Sequence, residues 1–161
     1  MGVKLDKARH RLIAESTGVF NKAEMQCFDE ILDQYEESPD KDYYIFEERD
    51  GDRLIGYIIF GEAPMTEFAW EIYWLAVEKV QQGRGVGKKL VKKVEDHLVS
   101  KLGRVVLRIE TSSIKEYEAT RRFYRKMGYI ESGRIPNFQC EGNDLVTFYK
   151  EIRKDEKPSA P

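Results

Sequence analysis

Apolar residues change between helical and strand spacing along the chain, and these changes predict the order of its elements. Apolar positions three or four residues apart favour an amphipathic helix over roughly 22–37, with an acidic outer face. Asn21 before this helix and Glu24 three residues later have the pattern of a capping box. Two strand-like runs follow on either side of an Asp-Gly hairpin signal, at 43–48 and 53–60.

The rest of the chain alternates short apolar strands with helices. Strands are predicted at 69–77, 105–109, 129–134 and 145–152. Helices are predicted at about 85–101 and 115–127, ended by Gly103 and Gly128. This order predicts an α+β fold with a mixed, mostly antiparallel central sheet flanked by helices. We expect a single domain over 1–153 and a flexible tail over 154–161.

Composition narrows the classes of function. The 161 residues suffice for one domain with its own core, and a net charge of −2 argues against general nucleic-acid binding. No apolar run approaches the ~20 residues that span a bilayer, and no apolar signal segment is seen. We therefore expect a cytoplasmic protein with no membrane partner. The two cysteines, Cys27 and Cys140, and the two histidines have no metal-ligand spacing, so no metal is expected.

A glycine-rich segment follows the strand at 69–77 and opens the next helix. Its glycines are Gly83, Gly85 and Gly87, and Arg84 and Lys88 add positive charge. Glycine allows close approach of the backbone to a ligand, and a helix start presents unpaired N–H groups, so a phosphate-binding turn is predicted. The dinucleotide fingerprint would need glycine in place of Lys88, and a Walker A loop would need Ser or Thr in place of Lys89. Neither of those nucleotide sites is therefore indicated.

Two motifs carry a family resemblance. Gln82, Gly85 and Gly87 resemble motif A of the GCN5-related N-acetyltransferase (GNAT) superfamily, written Gln/Arg-x-x-Gly-x-Gly/Ala. Downstream, Phe123-Tyr124 followed by Gly128-Tyr129 resembles motif B of the same superfamily. The resemblance covers roughly 42–150. It implies the acyl-CoA N-acyltransferase fold, with acetyl-CoA as co-substrate.

The resemblance also implies which residues hold the cofactor. The turn would bind the pyrophosphate of coenzyme A through Gln82, Gly83, Arg84, Gly85, Val86, Gly87 and Lys88. The strand before it would pair with the pantetheine arm through the backbones of Leu75, Ala76 and Val77, and one of these N–H groups would stabilise the oxyanion.

Two side chains are candidates for proton transfer. The resemblance implies that Tyr124 protonates the departing thiolate, since a phenol with a reference pKa near 10 is protonated at neutral pH. It also implies that Glu71 is the general base, directly or through water, as in the histone-acetyltransferase branch. Strand alternation puts Glu71 and Tyr73 on one face, and apolar neighbours make Glu71 a candidate for a raised pKa. Tyr73 and Glu110 are weaker candidates for the base. The alternatives to a catalytic role are that Tyr124 is a core residue and that Glu71 forms a surface ion pair.

The acceptor is predicted from weaker features. The segment 134–144 is predicted to be a long loop, and it resembles a loop in an uncharacterised branch of the superfamily. Phe138 and Asp144 of this loop, with Tyr73, are the candidate substrate contacts. We expect direct acetyl transfer to a small-molecule primary amine, because both cysteines lie outside the motifs. A protein lysine or N-terminal acetyltransferase and a non-catalytic acyl-CoA-binding module are the alternatives, and a homodimer is left open.

Overall fold

The computed structural model describes residues 4–155. Its helices are α1 (Lys7–Thr17), α2 (Lys22–Glu37), α3 (Val86–Leu102) and α4 (Glu118–Lys126), with short 3-10 turns at Lys79–Gln81 and Lys115–Tyr117. Its strands are β1 (Tyr44–Asp50), β2 (Arg53–Glu62), β3 (Ala69–Val77), β4 (Arg104–Ser112), β5 (Ile130–Cys140) and β6 (Asn143–Arg153). The sheet order is β1-β2-β3-β4-β6-β5. β3 and β4 are parallel, whereas β1–β2, β4–β6 and β5–β6 are antiparallel, so the predicted mixed α+β class is confirmed.

Residue contacts divide the chain into two units. Unit 1 comprises residues 4–62 and 73–94. In its core α1 and α2 pack on β2, and Phe28, Leu32 and Tyr57 are buried there together with Ala76 of β3. Burying a side chain of this size contributes roughly 1.5–3 kcal/mol, so this cluster supports the strand end that leads into the glycine-rich turn.

The two helices of unit 1 differ in how well the sequence predicts them. The capping box of α2 is present: Asn21 Oδ1 accepts from the Glu24 N–H at 2.9 Å, and Glu24 Oε2 accepts from the Asn21 N–H at 2.7 Å. α1 is not predicted by the apolar spacing. Its buried residues are only His10, Ile13 and Ala14, which is too few to produce a helical period.

A buried histidine joins α1 to β1 within unit 1. His10 Nδ1 donates to the Asp6 carbonyl at 2.8 Å, and its Nε2 lies 3.1 Å from Glu47 Oε1. Glu47 Oε2 accepts from Nε and Nη2 of Arg49 at 3.1 and 2.7 Å. The contact with His10, and then the hydrogen bond from Arg49, lowers the pKa of Glu47 from its ordinary value. The carboxylate of Glu47 is therefore stabilised in its ionised form.

Unit 2 comprises residues 63–72 and 95–155. Leu107, Val146 and Phe148 are fully buried on one face of its strands. An ion pair also lies in this interior: Glu95, only 2% exposed, accepts from Lys150 Nζ at 2.8 Å. The Tyr129 hydroxyl donates to the same Glu95 oxygen at 3.1 Å. A charged pair at this depth ties α3 to β6, although no spacing in the sequence predicts it.

The prediction of a long loop at 134–144 is wrong, because most of this segment belongs to a β-hairpin. β5 and β6 pair from Ile130↔Tyr149 to Cys140↔Asn143, with irregular register between Ile135 and Cys140. Gly142 has a φ of 79° in the turn. The sequence gives no alternation here, because the residues of β5 are exposed or half-exposed throughout. Of the tail predicted at 154–161, residues 156–161 lie outside the described residues.

Candidate acetyl-CoA site

The turn between β3 and α3 has the backbone that its glycines suggest. Gly83 and Gly85 have φ values of 76° and 82°, which L side chains rarely adopt. An added Cβ at either position would meet no heavy atom within 4 Å, so torsion rather than crowding selects glycine. The Lys89 N–H donates to the Gly85 carbonyl at 3.0 Å. The N–H groups of residues 86–88 therefore precede the first i→i−4 bond of α3 and are available to an anion.

Hydrogen bonds within unit 1 fasten this turn to the strand before it. Gln82 Nε2 donates to the Val77 carbonyl at 3.1 Å. Glu78 N–H donates to the Ile55 carbonyl at 2.9 Å, and Glu78 Oε1 accepts from Arg9 and Arg53 at 2.9 and 2.6 Å. Sequence reasoning missed Glu78 and its two arginines, because they come from distant parts of the chain. They hold the end of β3, so they act on the turn indirectly.

Part of the positive charge at the turn is neutralised by an ion pair. Lys89 forms an ion pair with Glu48 of β1. Arg84 and Lys88 are exposed and form no ion pair or hydrogen bond with other residues among 4–155. Gly87 and Val86 are half-buried at the first turn of α3. Arg84 and Lys88 are therefore the cations that could reach an anionic ligand at this helix start.

β3 presents the predicted pantetheine-pairing residues beyond its contact with β4. The register with β4 runs from Ala69↔Val106 to Ile72↔Ile109 and stops there. Leu75, Ala76 and Val77 follow, and the side chain of Ala76 is buried in the core of unit 1. Pairing with a ligand would involve only the backbone of these residues, which fits their apolar side chains.

The predicted base lies in a cross-strand ion pair. Glu71 on β3 is opposite Arg108 on β4, and Arg108 Nη2 donates to Glu71 Oε1. The Glu71 side chain is 15% exposed and that of Arg108 is 51% exposed. Alternation along β3 is as predicted, since Trp70 and Ile72 are buried on the opposite face. The ion pair is the structural alternative weighed for Glu71, and its role as the base stays a prediction.

Tyr124 of α4 is buried in the aromatic interior of unit 2. It is 3% exposed, and its ring packs against Tyr129 at 5.7 Å and Phe148 at 6.4 Å. Burial raises the pKa of its hydroxyl, so this phenol is protonated at any physiological pH. Its hydroxyl donates no hydrogen bond to another described residue. Glu71 and Tyr124 are not in contact, because Phe148 and Glu71 belong to opposite faces of the unit 2 strands.

The three candidate substrate contacts belong to two different units. Tyr73 belongs to unit 1, where its ring meets Tyr43 edge-on at 5.4 Å, and burial raises the pKa of its hydroxyl. Phe138 and Asp144 belong to unit 2. Phe138 is exposed, and Asp144 Oδ1 accepts from the Asn137 N–H at 2.9 Å. Asp144 therefore shapes the β5–β6 hairpin, a structural role that the sequence did not suggest.

Residues 4–155 contain no group of three or more His, Cys, Asp or Glu side chains that could hold a metal ion. No helix in this range has the length and apolar character needed to cross a membrane.

Comparison with known proteins identifies the family. The profile of the Acetyltransferase (GNAT) family matches residues 7–129. An uncharacterised N-acetyltransferase of Methanocaldococcus jannaschii is 31% identical over 110 residues, which are 67% of this chain and 63% of that protein. The N-alpha-acetyltransferase RimI of Mycobacterium tuberculosis is 28% identical over 64% of this chain and 63% of its own length. The chain thus spans less than two thirds of the length of these relatives. It belongs to the GNAT family of acetyltransferases.

Solved structures agree with this assignment. A protein from Desulfovibrio desulfuricans, described as a GNAT-family acetyltransferase, has a TM-score of 0.86 at 28% identity over 95% of both chains. An aminoglycoside 6′-N-acetyltransferase complexed with coenzyme A has a TM-score of 0.67 at 18% identity over 99% of both chains. The ribosomal-protein-S18-alanine N-acetyltransferase of Escherichia coli has a TM-score of 0.72 at 14% identity, over 99% of this chain and 97% of that one. The last two likenesses establish the acyl-CoA N-acyltransferase fold.

Proposed function

We propose that this chain is an acetyl-CoA-dependent N-acetyltransferase that acts on a primary amine of a small molecule. The observation that carries the proposal is the turn at 83–85, whose two left-handed glycines lead into the free N–H groups of α3. Such a turn suits the pyrophosphate of coenzyme A, with Gln82 holding it to β3 and Arg84 and Lys88 adding charge. The end of β3 at Leu75–Val77, which lies beyond its register with β4, suits the pantetheine arm.

The proposed reaction is direct transfer. The amine loses a proton to the Glu71 carboxylate, directly or through water, and its nitrogen attacks the thioester carbonyl. A backbone N–H of Leu75–Val77 stabilises the oxyanion. The C–S bond then breaks, and the Tyr124 hydroxyl gives its proton to the departing thiolate. Among the base candidates Glu71 is preferred to Tyr73. Burial raises the pKa of the Tyr73 hydroxyl, and a protonated phenol cannot take a proton from the amine.

Further parts of the proposal concern the protein as a whole. We take 1–153 as one N-acetyltransferase domain that acts in the cytoplasm, without a nucleic-acid or membrane partner. Cys27 and Cys140 are both free and exposed, which suits a reducing compartment and leaves no acetyl-enzyme cysteine among the described site residues.

A thiol-release assay with acetyl-CoA tests the acceptor class. The panel contains polyamines, amino acids, aminoglycosides and N-terminal peptides, at equal amine concentration. We expect release above the amine-free rate with a small amine. Release with peptides alone would favour the protein acetyltransferase alternative. Tight coenzyme A binding with no release across the panel would favour the non-catalytic binding module, and absence of coenzyme A binding would contradict the whole proposal.

Tyr124→Phe tests the acid. The ring and its packing are kept, so the fold and coenzyme A affinity should change little, while turnover should fall by roughly 10²-fold or more. The measurements are kcat by thiol release and the Kd of coenzyme A by calorimetry. Phe123→Leu, at the neighbouring position of α4, is the matched control for altered packing. Unchanged turnover in Tyr124→Phe would remove this hydroxyl from the mechanism.

Glu71→Gln tests the base. The amide keeps the size of the side chain and can still accept from Arg108, but it cannot take a proton at neutral pH. We expect the acid limb of the kcat/KM profile to flatten and the maximal rate to fall by roughly 10²-fold. Glu110→Gln is the matched control on β4. An acid limb that is preserved in Glu71→Gln and lost in Glu110→Gln would transfer the role to Glu110.

A further inference from the structure

Glu71 and Arg108 form a pair whose two members differ in exposure. They occupy directly opposite positions on β3 and β4, so the backbone itself keeps their side chains side by side. The carboxylate is the more buried member, at 15% exposure, and the guanidinium is half exposed, at 51%. A carboxylate with little access to water depends more on a fixed cation than a fully hydrated one does. Arg108 therefore has a larger effect on Glu71 than an ordinary surface pair would produce.

Other ionisable side chains lie on the same face of unit 2 as Glu71 and Arg108. Glu110 lies two positions along β4, with Oε1 3.9 Å from Arg108 Nε. Tyr149 of β6 is opposite Arg108 on the other side. Glu151 of β6 is bound by Arg104 and Arg153 at 2.8 and 2.9 Å. Arg108 is thus the cation that contacts Glu71, and Glu110 is the anion that competes for it.

We propose that Arg108 is a positioning residue for the Glu71 base, holding its carboxylate ionised and oriented on β3 while the amine is deprotonated. This inference rests on the proposed function, because it assumes that Glu71 takes the proton. Arg108 transfers no proton and forms no bond to the acetyl group. Its guanidinium also restricts the carboxylate, since one oxygen, Oε1, accepts from Nη2 and the other stays available to the amine or to a bridging water.

The inference is testable without any acceptor. Protein labelled with ¹³C at the glutamate side-chain carboxyl is titrated by NMR, and the Glu71 signal is assigned by its loss in Glu71→Gln. A guanidinium beside a carboxylate shifts its titration by about 1–3 pH units, and the half-exposed Arg108 belongs at the low end. We expect Arg108→Gln to raise the Glu71 midpoint by about one pH unit. Arg108→Lys keeps the charge and should recover most of that difference.

Arg153→Gln is the matched control. Arg153 is 48% exposed and paired with Glu151, so the same charge is removed from the same sheet away from Glu71. It should shift the Glu71 midpoint by less than about 0.2 pH units, because screened surface charges act weakly at a distance. An unmoved midpoint in Arg108→Gln, or an equal shift in Arg153→Gln, would overturn the inference.

A second readout connects the pair to the reaction. With the amine of the panel that gives thiol release, the acid limb of kcat/KM in Arg108→Gln should move upward by the same interval as the NMR midpoint. An NMR shift without movement of the limb would mean that Arg108 tunes Glu71 but not catalysis, and would also overturn the inference. A limb that survives in Glu71→Gln contradicts the proposed base instead, so the two failures are distinguishable.

Discussion

Replacing Lys150 by methionine should remove a cation from a buried carboxylate. Lys150 Nζ donates to Glu95 Oε1 at 2.8 Å and to the Met127 carbonyl at 2.9 Å. Methionine nearly conserves the volume and the flexible stem of lysine, so packing is disturbed little. The loss is therefore electrostatic: Glu95 stays in a site that is 2% exposed, and the Tyr129 hydroxyl is its remaining uncharged donor among the partners described above.

The expected loss in the free energy of unfolding follows from the burial of Glu95. Removing one member of a buried ion pair costs about 3–5 kcal/mol, because the other charge stays desolvated. Lys150 is partly exposed, at 25% of its side chain, which reduces the value to about 3 kcal/mol. Replacing both members, Glu95→Gln with Lys150→Met, also removes the buried negative charge and should cost only about 1 kcal/mol. The double variant should therefore be more stable than Lys150→Met alone.

Urea unfolding at pH 7 measures these free energies, with near-UV circular dichroism as the probe. Arg122→Met is the matched control, because it breaks an exposed i,i+4 pair with Glu118 at 3.4 Å and should cost less than about 0.5 kcal/mol. A cost below about 1 kcal/mol for Lys150→Met would refute the argument from burial. A double variant less stable than Lys150→Met would refute the claim that the buried Glu95 charge is the cause.

Two further predictions concern unit 1. Asn21→Ala removes the cap of α2 and should cost about 1 kcal/mol in urea unfolding, whereas Asn21→Ser keeps an acceptor and should be nearly neutral; equal losses would contradict the cap. Glu47 has a folded-state pKa below 4.5, so its stabilising effect is present above that pH and is lost as pH falls through the lower folded value. The stability difference between the natural chain and Glu47→Gln should shrink as pH falls below 4.5, and a difference independent of pH would contradict this linkage.

The elements that the sequence predicts well are those whose signals are local. β3 is predicted at 69–77 and found as Ala69–Val77, because apolar residues and flanking turns bound it. The capping box of α2 needs only Asn21 and Glu24, which are three residues apart and meet whenever the helix forms. Glycine permits the left-handed torsions of Gly83 and Gly85, so a tight turn at this point fits the local sequence. Short-range chemistry decides each of these features.

The features that the sequence misses depend on partners far along the chain. α1 buries few residues, and its place is held by contacts such as that of Arg9 with Glu78. β5 continues past Pro136 and Asn137, which are typical of turns, because Cys140 pairs again with Asn143 of β6 and Asp144 Oδ1 accepts from the Asn137 N–H. Neither residue type nor period indicates such pairing in advance.

The same distinction explains why the sequence predicts a cofactor and leaves the acceptor open. A pyrophosphate is bound by backbone N–H groups at a helix start, so its site needs glycines at fixed spacing, and that spacing is visible in Gly83 and Gly85. An amine is selected by side chains that converge from separate strands. Glu71 and Arg108 are 37 residues apart in sequence, and only the register of β3 on β4 makes them neighbours. Under the proposed mechanism, substrate choice can therefore change through residues opposite Glu71 while the cofactor motif stays constant, which makes the face around Arg108 the place where a change of acceptor should be sought.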